Sequence, residues 1–327
     1  MKTMKWLLRR EFWEHKGAMF WAPLVAATLM VVLIGTGLLW GARAAELNIV
    51  TQDGQSSTRV TSLASAYAKM PAMEQQDMVT LIANNFMAPS APLFIMMAFI
   101  AFFYCLGALF DERRDRSILF WKSLPVSDAQ TVLSKVVTAI LVTPLIVIAF
   151  SVFMSVLLGL IGGIALAFKG INLFGPVLAN GDLYLTPLRL LGILPVYMIW
   201  ALPTVGWLML VSAWARSKVF LWAVGTPVIA ILVIKWIDYL LGLRLDMDWF
   251  VQNIIARGLI GLFPGNWLAL SNIKPDLLLQ NGHTLMMGKV FEQSWLTVAT
   301  PSALIGAAVG IAMIYGAIRL RRWKDEG

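Results

Sequence analysis

Residues 90–110 read SAPLFIMMAFIAFFYCLGALF, and residues 111–127, directly after them, read DERRDRSILFWKSLPVS. The first run contains no charged residue, and about 20 apolar residues are what a helix needs to cross a bilayer core of about 30 Å. The second run opens on a block of consecutive charges, and another long apolar run follows at 136–167. A charged segment between two apolar runs is typical of a loop at a membrane face.

The composition agrees with a membrane protein. The chain has 327 residues, of which 59% are hydrophobic and 13% are charged, whereas soluble domains have about 25% charged residues. The net charge of +8 does not indicate nucleic-acid binding, because the basic residues lie in short loops beside apolar runs and not on one continuous face. The single cysteine, Cys105, excludes a disulfide within the chain.

Hydropathy predicts an all-α polytopic membrane protein with six transmembrane helices. We expect the spans at about 18–41, 90–110, 136–167, 190–213, 219–242 and 299–318. Residues 1–17 form an amphipathic interfacial helix in this interpretation, and residues 18–327 form one six-span domain. The first span is read as an uncleaved signal-anchor, because its apolar run is longer than that of a typical signal peptide.

The basic residues set the expected orientation. An even number of spans places both termini on one side, and most of the 26 lysines and arginines then fall on that side. Cytoplasmic loops carry an excess of lysine and arginine. We therefore expect a multi-pass protein of the cell inner (plasma) membrane with both termini in the cytoplasm.

Two loops on the opposite side are long. Residues 42–89 are polar, and Pro71 separates two segments of helical character. Residues 243–298 include the apolar run 249–265, in which an arginine, three glycines and a proline argue against a full span. A re-entrant or interfacial helix satisfies this backbone better. A seventh span is the alternative, but it would move the basic C-terminus to the outside.

Sequence motifs for catalysis are missing. The chain contains no Gly-x-x-x-x-Gly-Lys-[Ser/Thr] loop, no His-Glu-x-x-His and no Gly-x-Ser-x-Gly, and its only histidines are His15 and His283. We therefore expect no catalytic, cofactor-binding or metal-binding residues, and no enzymatic activity in this chain itself. Lys235 and Asp238, three residues apart near the end of the fifth span, are predicted to form an ion pair at the membrane boundary.

The segment after the second span has an ordered design. Pro125 is expected to end a short amphipathic helix, and Ser127 or Asp128 can cap the next helix, which carries Lys135 into the third span. An ordinary charged loop is the simpler alternative. The succession of helix, proline, cap and helix is more elaborate than a connector requires.

These residues resemble a family, the permease subunits of ABC-2 type ATP-binding-cassette exporters. Many members have a Glu-Arg-x-x-Gly-Thr-Leu pattern after the second span, then Leu-Pro-[Val/Ile]-Ser, then a lysine at the third span. This chain has Glu112-Arg113-Arg114-Asp115-Arg116-Ser117-Ile118, then Leu124-Pro125-Val126-Ser127, then Lys135. Arg116 stands where the family commonly has glycine, and Ser117 stands for threonine.

The resemblance implies a coupling helix that inserts into a separate ATPase subunit. Two ATPase copies, which bind ATP and Mg²⁺, would drive this permease chain and a second permease chain, as a homodimer or heterodimer in the lipid bilayer. The implied contacts with the ATPase are Asp111, Glu112, Arg113, Arg116, Ser117, Trp121, Leu124, Pro125, Val126 and Ser127. The chain itself would bind no cofactor and no nucleic acid.

Two other functions remain open at this point. An ATP-coupled machine could transmit force to envelope partners through residues 42–89 without carrying a substrate. A membrane-embedded enzyme would require a polar pocket at mid-bilayer. Neither the substrate nor the direction of transport follows from the sequence.

Overall fold

The computed structural model of the protein describes residues 2–44, 63–117, 126–242, 246–280 and 284–323. In this part of the chain nearly all regular structure is helical, as predicted. The helices are α1 (Lys2–Glu14), α2 (Ala22–Ala44), α3 (Leu63–Lys69), α4 (Ala72–Asn84), α5 (Ala91–Gly107), α6 (Phe110–Arg114), α7 (Asp128–Val137), α8 (Thr143–Ala167), α9 (Phe174–Ala179), α10 (Gly181–Trp214), α11 (Val219–Leu241), α12 (Met247–Phe250), α13 (Arg257–Ile260), α14 (Asn266–Leu270), α15 (Met287–Val298) and α16 (Pro301–Trp323).

Short irregular elements join several of these helices. The π-helical turns are Gly17–Trp21, Thr138–Val142 and Val251–Ala256, and the 3-10 turns are Ala88–Ser90 and Pro275–Leu277. One antiparallel hairpin pairs β1 (Leu279–Gln280) with β2 (Thr284–Leu285). Because each strand has only two residues, the hairpin leaves the all-α class unchanged.

Among the described residues, six helical segments are long and apolar enough to cross a membrane. They are Gly17–Trp40, Ala72–Arg114, Asp128–Ala167, Gly181–Trp214, Val219–Leu241 and Pro301–Trp323. Each predicted span falls on one of these segments, so the six-span plan is confirmed. The third and fourth helical segments begin earlier than the predicted spans, since α7 continues into α8 through a π-helical turn and α10 alone has 34 residues.

Helix α10 forms the centre of the bundle and packs most extensively against α16. The two helices cross where Gly206 faces Gly310. A Cβ atom on Gly206 would lie 2.5 Å from the carbonyl oxygen of Gly310, and one on Gly310 would lie 2.5 Å from the backbone of Leu202. Only glycine therefore permits this approach. Helix α11, in contrast, is almost entirely exposed apart from a few residues near its start and middle.

The long polar loop 42–89 contains α3 and α4, which Pro71 separates as expected. Helix α4 packs on the segment around α9, where Val79 meets Ile171 and Leu173 in a small apolar cluster. Asn84, at the end of α4, donates a hydrogen bond to Asp182 at 3.3 Å. Residues 45–62 of this loop lie outside the described part of the chain.

The apolar run before the last span forms a helical hairpin and not a seventh span. Residues 247–260 are continuously helical, but 14 residues extend only about 21 Å, which is short of a bilayer core of about 30 Å. After Gly265, whose φ is 82°, the chain returns along the first part of the hairpin, where Gln252 donates a hydrogen bond to Asn272 at 3.0 Å. The hairpin packs on α10, where Thr204 accepts a hydrogen bond from Gly261 N at 3.0 Å.

Candidate functional site

The segment with the family-like pattern begins at α6, which follows α5 after a two-residue break. Arg116 then adopts a left-handed conformation with φ 56°. Trp121, Leu124 and Pro125 lie within residues 118–125, outside the described part of the chain.

Ser127 caps α7, as the sequence predicted. Its hydroxyl accepts a hydrogen bond from Gln130 N at 3.2 Å, and the Gln130 side chain accepts one from Ser127 N at 3.4 Å. This reciprocal arrangement is a capping box, which satisfies backbone N–H groups at the start of a helix. It holds the entry to the third span in a defined direction.

The main feature of this region is a buried group of charged side chains. We call it the charge cluster, and its members are Arg10, Glu11, Glu112, Asp128, Lys135 and Arg321. The carboxylate of Glu112 lies in its middle. One oxygen is 3.0 Å from Lys135 Nζ and 3.1 Å from Arg10 Nη2, while the other accepts a hydrogen bond from Arg321 Nη1.

Glu11 forms the second centre of the charge cluster and is completely buried. Lys135 Nζ lies 3.0 and 3.1 Å from its two carboxylate oxygens. The hydroxyl of Tyr104 donates a hydrogen bond to the same carboxylate at 2.8 Å. At the edge of the cluster, Arg321 Nε donates to Asp128 at 3.1 Å.

The charge cluster contains three cations and three carboxylates, so its formal charge balances. Buried ions are tolerated only when they are paired and hydrogen-bonded. For Arg10, burial opposes the charged form, but the hydrogen bond to Glu14 and the charges of Glu11, Glu14 and Glu112 prevail and raise its pKa. Since its members come from α1, α6, α7 and α16, the cluster joins helices from the beginning, the middle and the end of the chain.

A second set of bonds ties α6 to the end of α10. The backbone N–H groups of Leu109 and Phe110 both donate to the hydroxyl of Ser212 at 3.0 Å. The guanidinium of Arg113 donates to the carbonyl oxygens of Ser212 and Ala215. Helix α6 is therefore anchored at once to the charge cluster and to the central helix of the bundle.

The predicted contact residues divide between the two sides of α6. Glu112 and Arg113 point inward and hold the fold together, whereas Asp111 and Arg116 are exposed. Ser117 and Val126 are half-buried, and Ser127 is exposed. Contact of any of these residues with an ATPase remains a prediction, and for the two inward residues the structure shows an internal role that the sequence did not indicate.

The structure also locates the predicted pair Lys235 and Asp238, and it brings together one group of possible metal ligands that was not predicted. Lys235 and Asp238 lie one turn apart on α11, with Lys235 exposed, and their pairing stays a prediction. Ligand atoms of Glu11, Glu14 and His15 lie within 4.8 Å of one another, a spacing that can hold a metal ion. However, Lys135 and Arg10 already neutralise these carboxylates, so the group is better suited to ion pairing than to metal binding.

Comparison with known proteins finds no matching family model, no matching curated protein and no matching solved structure. A function for this membrane-spanning helical chain is therefore inferred from its own residues and their geometry.

Proposed function

We propose that the chain is the permease subunit of an ATP-driven exporter of the ABC-2 type. In this proposal a separate ATPase subunit docks on the segment around α6 and moves it. The observation that supports the proposal is the attachment of α6 to the bundle, through the charge cluster on one side and through Ser212 on the other.

A segment that receives force from another protein must have a free side and a fixed side. Asp111 and Arg116 supply the free side, because both are exposed and charged. Glu112 and Arg113 supply the fixed side. A displacement of α6 is consequently passed to α1, α7 and α16 through Glu112, and to α10 through Arg113.

The proposed complex needs partners for energy and for the translocation path. ATP and Mg²⁺ would be bound by two ATPase subunits, since the sequence of this chain has no phosphate-binding loop. A second permease chain would complete the path. The exposed apolar surface of α11, which includes Leu221, Leu232 and Trp236, offers a face either to lipid or to that second chain.

The test begins with purification of the tagged chain from its native membranes in a mild detergent. We expect an ATPase to co-purify and to hydrolyse ATP in proteoliposomes. Arg116→Glu reverses an exposed charge just after α6 and leaves the charge cluster unchanged. We expect this variant to weaken co-purification of the ATPase by roughly tenfold, because truncating or reversing an interface charge costs on the order of 1–2 kcal/mol. Asp77→Lys, on the exposed side of α4, is the matched control.

Two results would contradict the proposal. One is a wild-type chain from which no ATPase co-purifies, and the other is an Arg116→Glu variant that binds and stimulates the ATPase like the wild type. ATP-dependent movement of a labelled amphiphile into the same proteoliposomes distinguishes an exporter from a machine that only transmits force to envelope partners, because the latter hydrolyses ATP without transport.

A further inference from the structure

Arg257, at the start of α13 in the helical hairpin, is a buried cation. Its residue is 6% exposed, and its guanidinium lies over the ring of Trp200, with 4.4 Å between Cζ and the ring centroid. On the opposite side it lies against Gly306, where an added Cβ would come within 2.2 Å of Cζ. The site therefore accommodates the guanidinium only because α16 has a glycine there.

The polar contacts of this guanidinium are all to neutral groups. Nη1 donates to the carbonyl and hydroxyl oxygens of Ser302, and Nη2 donates to the carbonyl oxygen of Ala303 at 3.3 Å. Nε has no hydrogen-bond partner, and no carboxylate forms an ion pair with Arg257 among the residues described. The contrast with the charge cluster is clear, because there every buried cation has a carboxylate.

The full positive charge of Arg257 and a partial positive charge meet at this point, and no carboxylate of the described residues pairs with them. Ser302 and Ala303 belong to the first turn of α16, and the N-terminus of a helix carries a partial positive charge. A buried guanidinium beside it is unfavourable unless an anion balances both. The arrangement is thus complementary to a negatively charged group that would complete the hydrogen bonding of Arg257.

Arg257 lines a cavity of about 720 Å³ between α10, α11, α16 and the helical hairpin, a size that is usual for ligand sites. Apart from a few polar groups, the wall is apolar. Trp249, Ile254 and Ile305 line the cavity and are themselves about half exposed on the outer surface. Because an exposed apolar surface on membrane-spanning helices is suited to lipid, an opening between these residues would face the bilayer.

The depth of the cavity fits one lipid leaflet. Helix α16 has 23 residues, or about 35 Å, so its first turn lies near the headgroups of a bilayer with a core of about 30 Å. The wall extends from Ser302 to Met313, which is about 16 Å along the helix and about half of that core. The cation is therefore at the headgroup end, and the apolar wall continues toward the middle of the bilayer.

We propose that this cavity binds an anionic phospholipid from the surrounding bilayer, with the headgroup phosphate against Arg257 and an acyl chain along α16 and α11. The lateral opening favours a bilayer lipid over a cargo that passes through the interior. The proposal requires only that the chain lies in a membrane, and it is independent of coupling to an ATPase.

Lipid retention tests the proposal directly. The delipidated full-length protein is incubated in detergent with equal amounts of phosphatidylglycerol and phosphatidylcholine, repurified, and its bound lipid is quantified by mass spectrometry. We expect the wild type to retain phosphatidylglycerol preferentially. Arg257→Gln should lower the ratio of the two retained lipids roughly tenfold or more, because it removes a charge-assisted contact, while Arg257→Lys should preserve most of the preference.

Two further variants keep the test decisive. Arg319→Gln removes an exposed arginine at the other end of α16 and should leave the ratio unchanged. Ala230→Phe fills the cavity from α11 without altering the charge, and it should lower the retention of phosphatidylglycerol even if Arg257→Gln does not fold. Equal retention of both lipids by the wild type, or an Ala230→Phe variant with unchanged retention, would overturn the proposal.

Discussion

Replacing Lys135 by methionine measures what the charge cluster contributes to stability. The Lys135 side chain is 2% exposed, and its Nζ is within 3.1 Å of both Glu11 oxygens and 3.0 Å from Glu112. Methionine has a similar length and fits an apolar surrounding, so the substitution removes the charge and the donors with little change in volume. It leaves two buried carboxylates with one cation fewer.

The expected loss follows from the environment. Removing one partner of a buried ion pair costs about 3–5 kcal/mol, because the remaining charge stays buried without compensation. Arg10 and Arg321 remain beside Glu112, and Tyr104 remains beside Glu11. We therefore expect the free energy of unfolding to fall by about 3 kcal/mol, at the lower end of this range. At about 2–4 °C for each kcal/mol, this corresponds to a thermal midpoint lower by roughly 6–12 °C.

Thermal unfolding in detergent, followed by far-ultraviolet circular dichroism and by tryptophan fluorescence, measures the midpoint. Arg114→Ala is the control, because Arg114 forms ion pairs with Asp111 and Asp115 at an exposed position. Exposed pairs add little to stability, so this variant should unfold close to the wild type. The difference between the two variants isolates the effect of burial.

The double variant Glu11→Gln with Lys135→Met provides the sharper test. If the two residues stabilise the fold by neutralising each other, removing both charges should be no more harmful than Lys135→Met alone. Midpoint losses that simply add in the double variant would refute this reasoning. A Lys135→Met variant as stable as Arg114→Ala would refute it as well.

Three other predictions concern the packing and the orientation. Gly310→Ala should lower the thermal midpoint by several degrees, since its Cβ would meet the backbone of α10 at 2.5 Å, whereas Gly258→Ala has open space and should be tolerated. Thr204→Val removes two hydrogen bonds to the helical hairpin, and a loss of about 1–3 kcal/mol should appear as faster proteolysis of the hairpin. For orientation, a thiol reagent that does not cross membranes should label Asp77→Cys in intact cells but label Arg114→Cys only after permeabilisation.

The fold of this chain was predictable because bilayers impose simple rules. A span must be apolar over about 20 residues and must satisfy its own backbone, so all six spans could be read from hydropathy. Two local features could also be predicted from the sequence, namely the helix cap formed by Ser127 and the break between helices at Pro71. The early start of α10 could not be predicted in this way, because its first turns contain two charged residues, Asp182 and Arg189, and also Pro187, which argues for a loop when only local preference is considered.

The charge cluster was not predictable, since several of its pairs join residues that are 102 to 209 positions apart along the chain. Counting basic residues for topology treats Lys135 and Arg321 as solvated charges, and this hides the possibility that they are buried pairs. The signal that was available is the presence of Glu11 and Glu112 among basic residues on the side of the termini. An acidic residue among basic residues in the sequence is a candidate for an internal ion pair. Only a structure identifies the partner with which it pairs.

The charge cluster and the lipid-facing cavity are connected by the same two helices. At one end, α10 and α16 hold α6 through Ser212 and Arg321. At the other end, the helical hairpin is fixed to them through Thr204 and Ser302. Because glycines bring the backbones of α10 and α16 into contact between these ends, the pair cannot slide far without breaking close packing. In the proposed complex, a push on α6 would therefore move α10 and α16 together and change the walls of the cavity that both helices line.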